Sequence, residues 1–295
     1  MKHSPAFLIV LLGFLLLAPW DRAYGSDQAS VVIRVKGSDT LTKALKEFSY
    51  AYQKTSPHLR VEVTGGGTGN GIAALINGHV EIASASRPMR SREIQLLTKK
   101  HIGKSAIAHV VALDAVSVVV HASNPVNGLS LHQLMQIYGK NDHEARWSDF
   151  GVKVPGCPDQ KITPLSRKNN SGTYVFFRQA ILSKHEHFDS QLVSTDGSDT
   201  LIGKVAQTPC AIGYAGMAFI TGQVKTLCIA KSPGANAPCV PPTAASTLDK
   251  SYPLSRSLYL YTLGEPQGEV KQFLDWVKGP EAREILLHTG YVPLP

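Results

Sequence analysis

Short runs of Val, Ile and Ala alternate with helix-patterned stretches along almost the whole chain, and this alternation most restricts what it can fold into. Strand-like runs are read at Val31 to Val35, Val61 to Val63, Glu81 to Ser84, Ile107 to Leu113, Val116 to His121, Ile162 to Leu165 and Ala211 to Tyr214. β-Branched residues suit a pleated, buried surface, and strands separated by helices pair mainly in parallel, so the expected class is α/β. Helical periodicity follows Leu41, Ala44, Leu45 and Phe48. It recurs over Ile72 to Ile76, Leu129 to Tyr138, Thr173 to Leu182, Val270 to Lys278 and Glu281 to His288. Ile107 to Val120 is apolar except at Asp114, and reads as two consecutive strands that pass from one lobe to another. Ser257 to Thr262 is the expected return strand.

Several of these strand-to-helix junctions carry glycine and hydroxyl residues. Val31 to Val35 runs into Gly37-Ser38-Asp39-Thr40, Val61 to Val63 into the Gly65 to Gly71 loop that holds Thr68, and Arg167 precedes Ser171-Gly172-Thr173. The first backbone N–H groups of a helix lack partners within it and sit at the positive end of its dipole, so such a turn can hold an oxyanion. A hydroxyl adds a donor, and Arg adds a planar fork. Each turn taken singly is equally an ordinary N-cap. The nucleotide motifs do not fit, because Gly71 is followed by Ile72 and not by Lys-Ser/Thr. Gly69-Asn70-Gly71-Ile72-Ala73-Ala74 meets the looser dinucleotide pattern only by a short match, with Glu93 as the one acidic candidate downstream.

Met1-Lys2-His3, the apolar run Ala6 to Ala18 and the small-x-small site Ala23-Tyr24-Gly25 read as a secretory signal peptide over residues 1–25. That run is shorter than the roughly 20 residues a bilayer crossing needs, so the mature chain is expected not to span a membrane. The formal charge is +8, which suits anions, nucleic acid and membrane surfaces alike. Nucleic acid is disfavoured by the secretory address and by the absence of a long Lys/Arg run. The four cysteines are even in number, as an oxidising compartment favours. Three pairings are possible. The one expected joins Cys228 to Cys239 around the Lys231 to Pro238 loop, and Cys157 to Cys210. Zinc competes, without a Cys-x-x-Cys pair to support it. His185-Glu186-His187 is no metal pair on a helix, where residues two apart point in different directions.

These residues together resemble the periplasmic phosphate-binding proteins of ABC transporters, a branch of the two-lobed substrate-binding proteins. The motifs that carry the resemblance are Gly37-Ser38-Asp39-Thr40-Leu41, the Gly65 to Gly71 loop, Glu81 to Pro88, Arg167 to Thr173, Ile212-Gly213-Tyr214 and Tyr252-Pro253-Leu254-Ser255-Arg256. The resemblance implies a type II two-lobed fold, each lobe a mainly parallel sheet flanked by helices, joined by two hinge strands. Lobe I is expected at residues 26–113 plus 256–295, and lobe II at 114–255. It further implies inorganic phosphate held in the cleft by Ser38, Thr40, Thr68, Ser86, Arg167, Ser171, Gly172 and Thr173, with no cofactor, no metal and no catalysis. An inner-membrane ABC permease is the implied partner of a periplasmic monomer.

One departure lies after the third strand. Many family members have there an aspartate that accepts phosphate's remaining proton and so rejects sulfate. This chain has Ser86-Arg87. Arg87 is open between a second positive charge in the site and a surface ion-pair residue packing its stem on the lobe. Asp39 is open between the missing proton acceptor and a helix cap. The alternatives to a phosphate receptor are a secreted phosphatase and a receptor for sulfate, molybdate or tungstate. Neither a Gly-x-Ser-x-Gly elbow nor a His-paired nucleophile is visible to support the phosphatase.

Overall fold

The computed structural model describes residues 31–140, 144–183, 186–190, 192–234 and 238–295. The expected signal peptide, residues 1–25, and His185 lie outside them. In chain order the elements begin with β1 (Val31–Gly37), α1 (Asp39–Thr55), β2 (Leu59–Thr64), α2 (Thr68–Ile76), β3 (Ile82–Ala85), α3 (Ser91–Lys100) and β4 (Ala106–His121). They continue with β5 (Gly128–Ser130), α4 (Leu131–Tyr138), β6 (Thr163–Arg167), α5 (Gly172–Ile181), β7 (Val193–Thr195), α6 (Ser198–Gln207) and β8 (Ala211–Gly216). Then come β9 (Val224–Thr226), β10 (Cys228–Ala230), α7 (Ala244–Leu248), β11 (Ser255–Leu263), α8 (Gly268–Val277) and α9 (Pro280–Thr289).

The sheet runs β2-β1-β3-β11-β4-β8-β6-β7, with β9 on the far part of β4. β1 is parallel to β2 and β3, while β11 lies antiparallel between β3 and β4. On the other side β8 and β6 are parallel, as are β6 and β7. β4 belongs to both halves, pairing with β11 through Ala115 and with β8 from Val116. The break expected at Asp114 is absent, and β4 is one continuous strand. Its carboxylate accepts hydrogen bonds from Arg256 and from the Met217 N–H, so a charge inside the strand is paired and need not end it.

Each half has its own core. In the first lobe, α1 buries Leu41, Ala44, Leu45, Phe48 and Tyr52 against the sheet, as the 3.6-residue spacing required. Tyr52 packs edge-on against Phe273 at 5.3 Å, and Phe48 against Trp276 at 5.8 Å, so α8 returns the chain's end to this lobe. The second core gathers Val118, Val120, Leu134, Tyr138, Trp147, Phe177, Ile212 and Tyr214. The cysteines pair as Cys157–Cys210 and Cys228–Cys239. Cys157 and Cys210 also lie beside Asp159, but as a disulfide their sulfurs are not metal-binding thiolates. Three helices were not anticipated, α7 among them because its five residues are too few to show a period. α3 buries only Leu97, which leaves no apolar period to read, and α6 buries Leu201, Ile202 and Val205 but is interrupted by Gly203.

Candidate oxyanion cleft

Three helix starts meet where the two halves face each other. β1 ends at Gly37, where an added Cβ would lie 2.1 Å from the Ser84 carbonyl oxygen, so only glycine lets the chain turn against β3. The next N–H, of Ser38, donates to that same carbonyl at 2.9 Å, and α1 begins at Asp39. Gly66 and Gly67 take φ of 105° and 93°, which turns the second loop into α2 at Thr68. From the other half, β6 ends at Arg167, and Ser171 caps α5 by accepting from the Thr173 and Tyr174 N–H groups.

The two halves touch directly. Thr40 Oγ1 lies 3.1 Å from Thr173 Oγ1, and the Gly69 N–H donates to the Asn170 carbonyl at 3.0 Å. Asn170 Nδ2 donates back to the Gly66 carbonyl at 3.1 Å. A Cβ on Gly172 would stand 2.3 Å from Thr68 Oγ1 and 2.4 Å from Ser86 Oγ. Thr68 and Ser86 are themselves neighbours, with the Ser86 N–H donating to Thr68 Oγ1 at 3.1 Å. Ser38, Thr40, Thr68, Ser86, Ser171 and Thr173 are all buried here, within one closed seam.

Arg167 is also buried. Its Nη1 donates to Ser198 Oγ at 2.7 Å, and its Nη2 to Asp39 Oδ2 at 2.7 Å and to the Asp196 carbonyl at 2.8 Å. Asp39 is partly exposed and does more than cap the helix it begins. Its Oδ1 accepts the Gly66 N–H at 2.7 Å, so one side chain binds the glycine loop and the opposing arginine. Two buried polar atoms at this seam have no protein partner, Ser38 Oγ and Arg167 Nε. A buried donor left unpaired is costly, and an oxyanion is the chemical complement of both.

Arg87 goes elsewhere. Its Nη1 and Nη2 donate to Glu93 at 2.8 and 2.6 Å, and Nη1 also to the Pro88 carbonyl. Of the two readings left open, this is the ion pair, though a buried one and not one on the surface. Burial alone would raise the Glu93 carboxyl. The hydrogen bonds from Arg87 and from the Arg90 N–H, with the guanidinium charge beside it, outweigh this and hold it below its ordinary value. Four participants were not picked out as site residues, and Asn170, which bonds across the seam, was noted only within the Arg167 to Thr173 motif. Ser198 and Asp196 sit at a helix start with no strand signal before it, and Arg256 was noted only inside a motif.

Outside the Asp39–Arg167 bridge the cleft opens into a cavity of about 880 Å³ lined by Lys43, Lys46, Lys168, Asn170 and Thr200. Asp39, Asp196 and Asp199 share that lining with the lysines, and Lys168 pairs with Asp196, so the mouth of the cleft carries both signs of charge.

Two α/β halves that share crossing strands and close hydroxyl-rich helix starts over buried cationic and N–H donors define a two-lobed ligand-binding protein. A family description, the PBP superfamily domain, matches residues 22–281. The phosphate-binding protein PstS of Pseudomonas aeruginosa is 30% identical over 269 residues, which is 88% of this chain and 82% of that protein. Protein SphX of Synechococcus elongatus is 30% identical over 275 residues, 90% of this chain and 78% of that one. The chain therefore belongs to the PBP superfamily and, within it, to the family of the phosphate-binding proteins. A solved phosphate ABC transporter substrate-binding protein with bound phosphate, from Clostridium perfringens, has the same fold. It superposes with a TM-score of 0.77 at 24% identity, covering 90% of this chain and 100% of that one.

Proposed function

We propose that this protein captures inorganic phosphate between its lobes in the periplasm and presents it, as a monomer without catalysis, to an inner-membrane ABC importer. The observation that carries this reading is the pair of buried, unpartnered donors, Ser38 Oγ and Arg167 Nε, at a seam of three helix starts and six buried hydroxyls. Such a seam offers a small anion many hydrogen bonds and excludes water, the condition under which they are strongest. We assign the contacts to Ser38, Thr40, Thr68, Ser86, Arg167, Ser171, Thr173 and the Gly172 N–H, with Asp39 orienting Arg167. Lobe I is assigned to residues 26–113 plus 256–295 and lobe II to 114–255, in line with the two cores. The relatives' names support the ligand, and no helix among the described residues is long and apolar enough to cross a membrane. Calorimetry of the mature protein against phosphate, sulfate, molybdate and tungstate tests the reading. Tight, saturable heat with phosphate alone is expected, and heat with another oxyanion but none with phosphate would overturn it.

A further inference from the structure

Arg256 lies on β11 where that strand faces Asp114 of β4, at the junction of the two halves. Both residues are buried. Its Nε and Nη2 donate to Asp114 Oδ2 at 2.9 and 2.7 Å, its Nη1 to the Ser86 carbonyl at 3.2 Å, and its Nη2 also to Thr40 Oγ1 at 3.2 Å. The guanidinium lies 5.6 Å from the centre of the Phe176 ring on α5, the helix that Gly172 and Thr173 begin. Asp114 Oδ1 in turn accepts the Met217 N–H, just past the end of β8. One side chain of the crossing strands therefore contacts two seam loops of the first lobe and, directly or through Asp114, two elements of the second.

The direction of these bonds matters. A guanidinium only donates, so Thr40 Oγ1 must accept, and its own hydrogen is left to point elsewhere. The same polarity recurs around the seam. Thr68 Oγ1 accepts from the Ser86 N–H, and Ser171 Oγ from the N–H groups of Thr173 and Tyr174. Each of these three hydroxyls accepts from a fixed donor, which leaves its own hydrogen to be given. At Thr40 that donor is the charged one. With no anion bound, Thr173 Oγ1 at 3.1 Å is the acceptor within reach of Thr40.

We propose that Arg256 is a positioning residue of the cleft, holding the Thr40 hydroxyl so that its hydrogen faces the bound anion and tying that orientation to the packing of the two lobes. This rests on the phosphate reading above.

The test is a double-mutant cycle of Arg256 with Thr40, read by phosphate calorimetry and thermal melting. Arg256→Lys keeps a cation beside Asp114 but loses the fork, and it is expected to weaken phosphate binding about 10- to 100-fold, the worth of a charge-assisted hydrogen bond. Thr40→Val is expected to weaken binding to a similar extent in the wild-type background, but less than about threefold when added to Arg256→Lys. Should Arg256→Lys not fold, Asp114→Asn/Arg256→Gln removes both charges together and serves as the second background. Additive losses, or unchanged affinity in both Arg256 backgrounds while the wild type binds phosphate, would overturn the proposal. A wild type that gives no phosphate heat would remove the underlying reading and this proposal with it.

Discussion

At Gly172 a side chain has no room while the lobes are closed. An alanine Cβ would lie 2.3 Å from Thr68 Oγ1 and 2.4 Å from Ser86 Oγ, far inside van der Waals contact, and both oxygens belong to the opposite lobe. The same change at a helix start should otherwise be neutral or favourable, since Ala is up to about 1 kcal/mol better than Gly in a helix. The two effects act on different states, so they can be separated. Gly172→Ala should melt at or above the wild-type temperature without phosphate, yet lose affinity by more than about 100-fold. A variant that binds normally would show that the lobes need not approach this closely. Ser171, Gly172 and Thr173 were legible as candidates because they stand in one loop with Arg167, and Ser38, Thr40 and Thr68 because they stand in strand-to-helix turns. The partner of Asp39 was not, because Arg167 lies 128 residues away and local spacing holds no trace of that bond.

α3 depends on a single ion pair at its start. Its N-cap is Arg90, which has no Ser, Thr, Asp or Asn oxygen to offer, and Glu93 takes over by accepting the Arg90 N–H at 2.7 Å while pairing with Arg87. Removing one member of a buried pair costs about 3–5 kcal/mol. Glu93 keeps 17% side-chain exposure, so about 2 kcal/mol is expected for Glu93→Gln near neutral pH. The Glu93 carboxyl is held below its ordinary value of 4.5, so its contribution is complete above that value and disappears as pH falls through the lower folded-state value. Denaturant melts of the two proteins should therefore converge in acid, whereas a gap independent of pH would count against the pair. Strands β1 to β4, β6, β8 and β11 were readable from their runs of strand-forming residues, whereas β5, β7, β9 and β10, three residues each, were too short to read. α3 was not, because an ion pair and one buried leucine leave no hydrophobic period.

Across the whole molecule, two strands hold the halves together while a few polar contacts hold them shut. β4 and β11 are covalent and remain in any state, whereas the Asn170, Asp39–Arg167 and Thr40–Thr173 bonds exist only when the seam is closed. The alternation of strands and helices foretold the α/β class, the family resemblance implied its two lobes, and Asp114 marked where the chain crosses. How far the lobes close is not written in any one segment, because it depends on surfaces from both. Asn170 isolates this property. Its Nδ2 meets the Gly66 carbonyl across the cleft, and the residue is only half-buried. Asn170→Ala should leave folding intact and remove one half-buried hydrogen bond from the closed state alone, worth about 0.5–1 kcal/mol. A contact made after the anion arrives slows its departure and not its capture. Stopped-flow measurement should show phosphate release about two- to fivefold faster, with association unchanged to within about a factor of two. Slower association at an unaltered release rate would place Asn170 on the approach path, and the closed seam would then have to be held by Asp39 and the paired threonines.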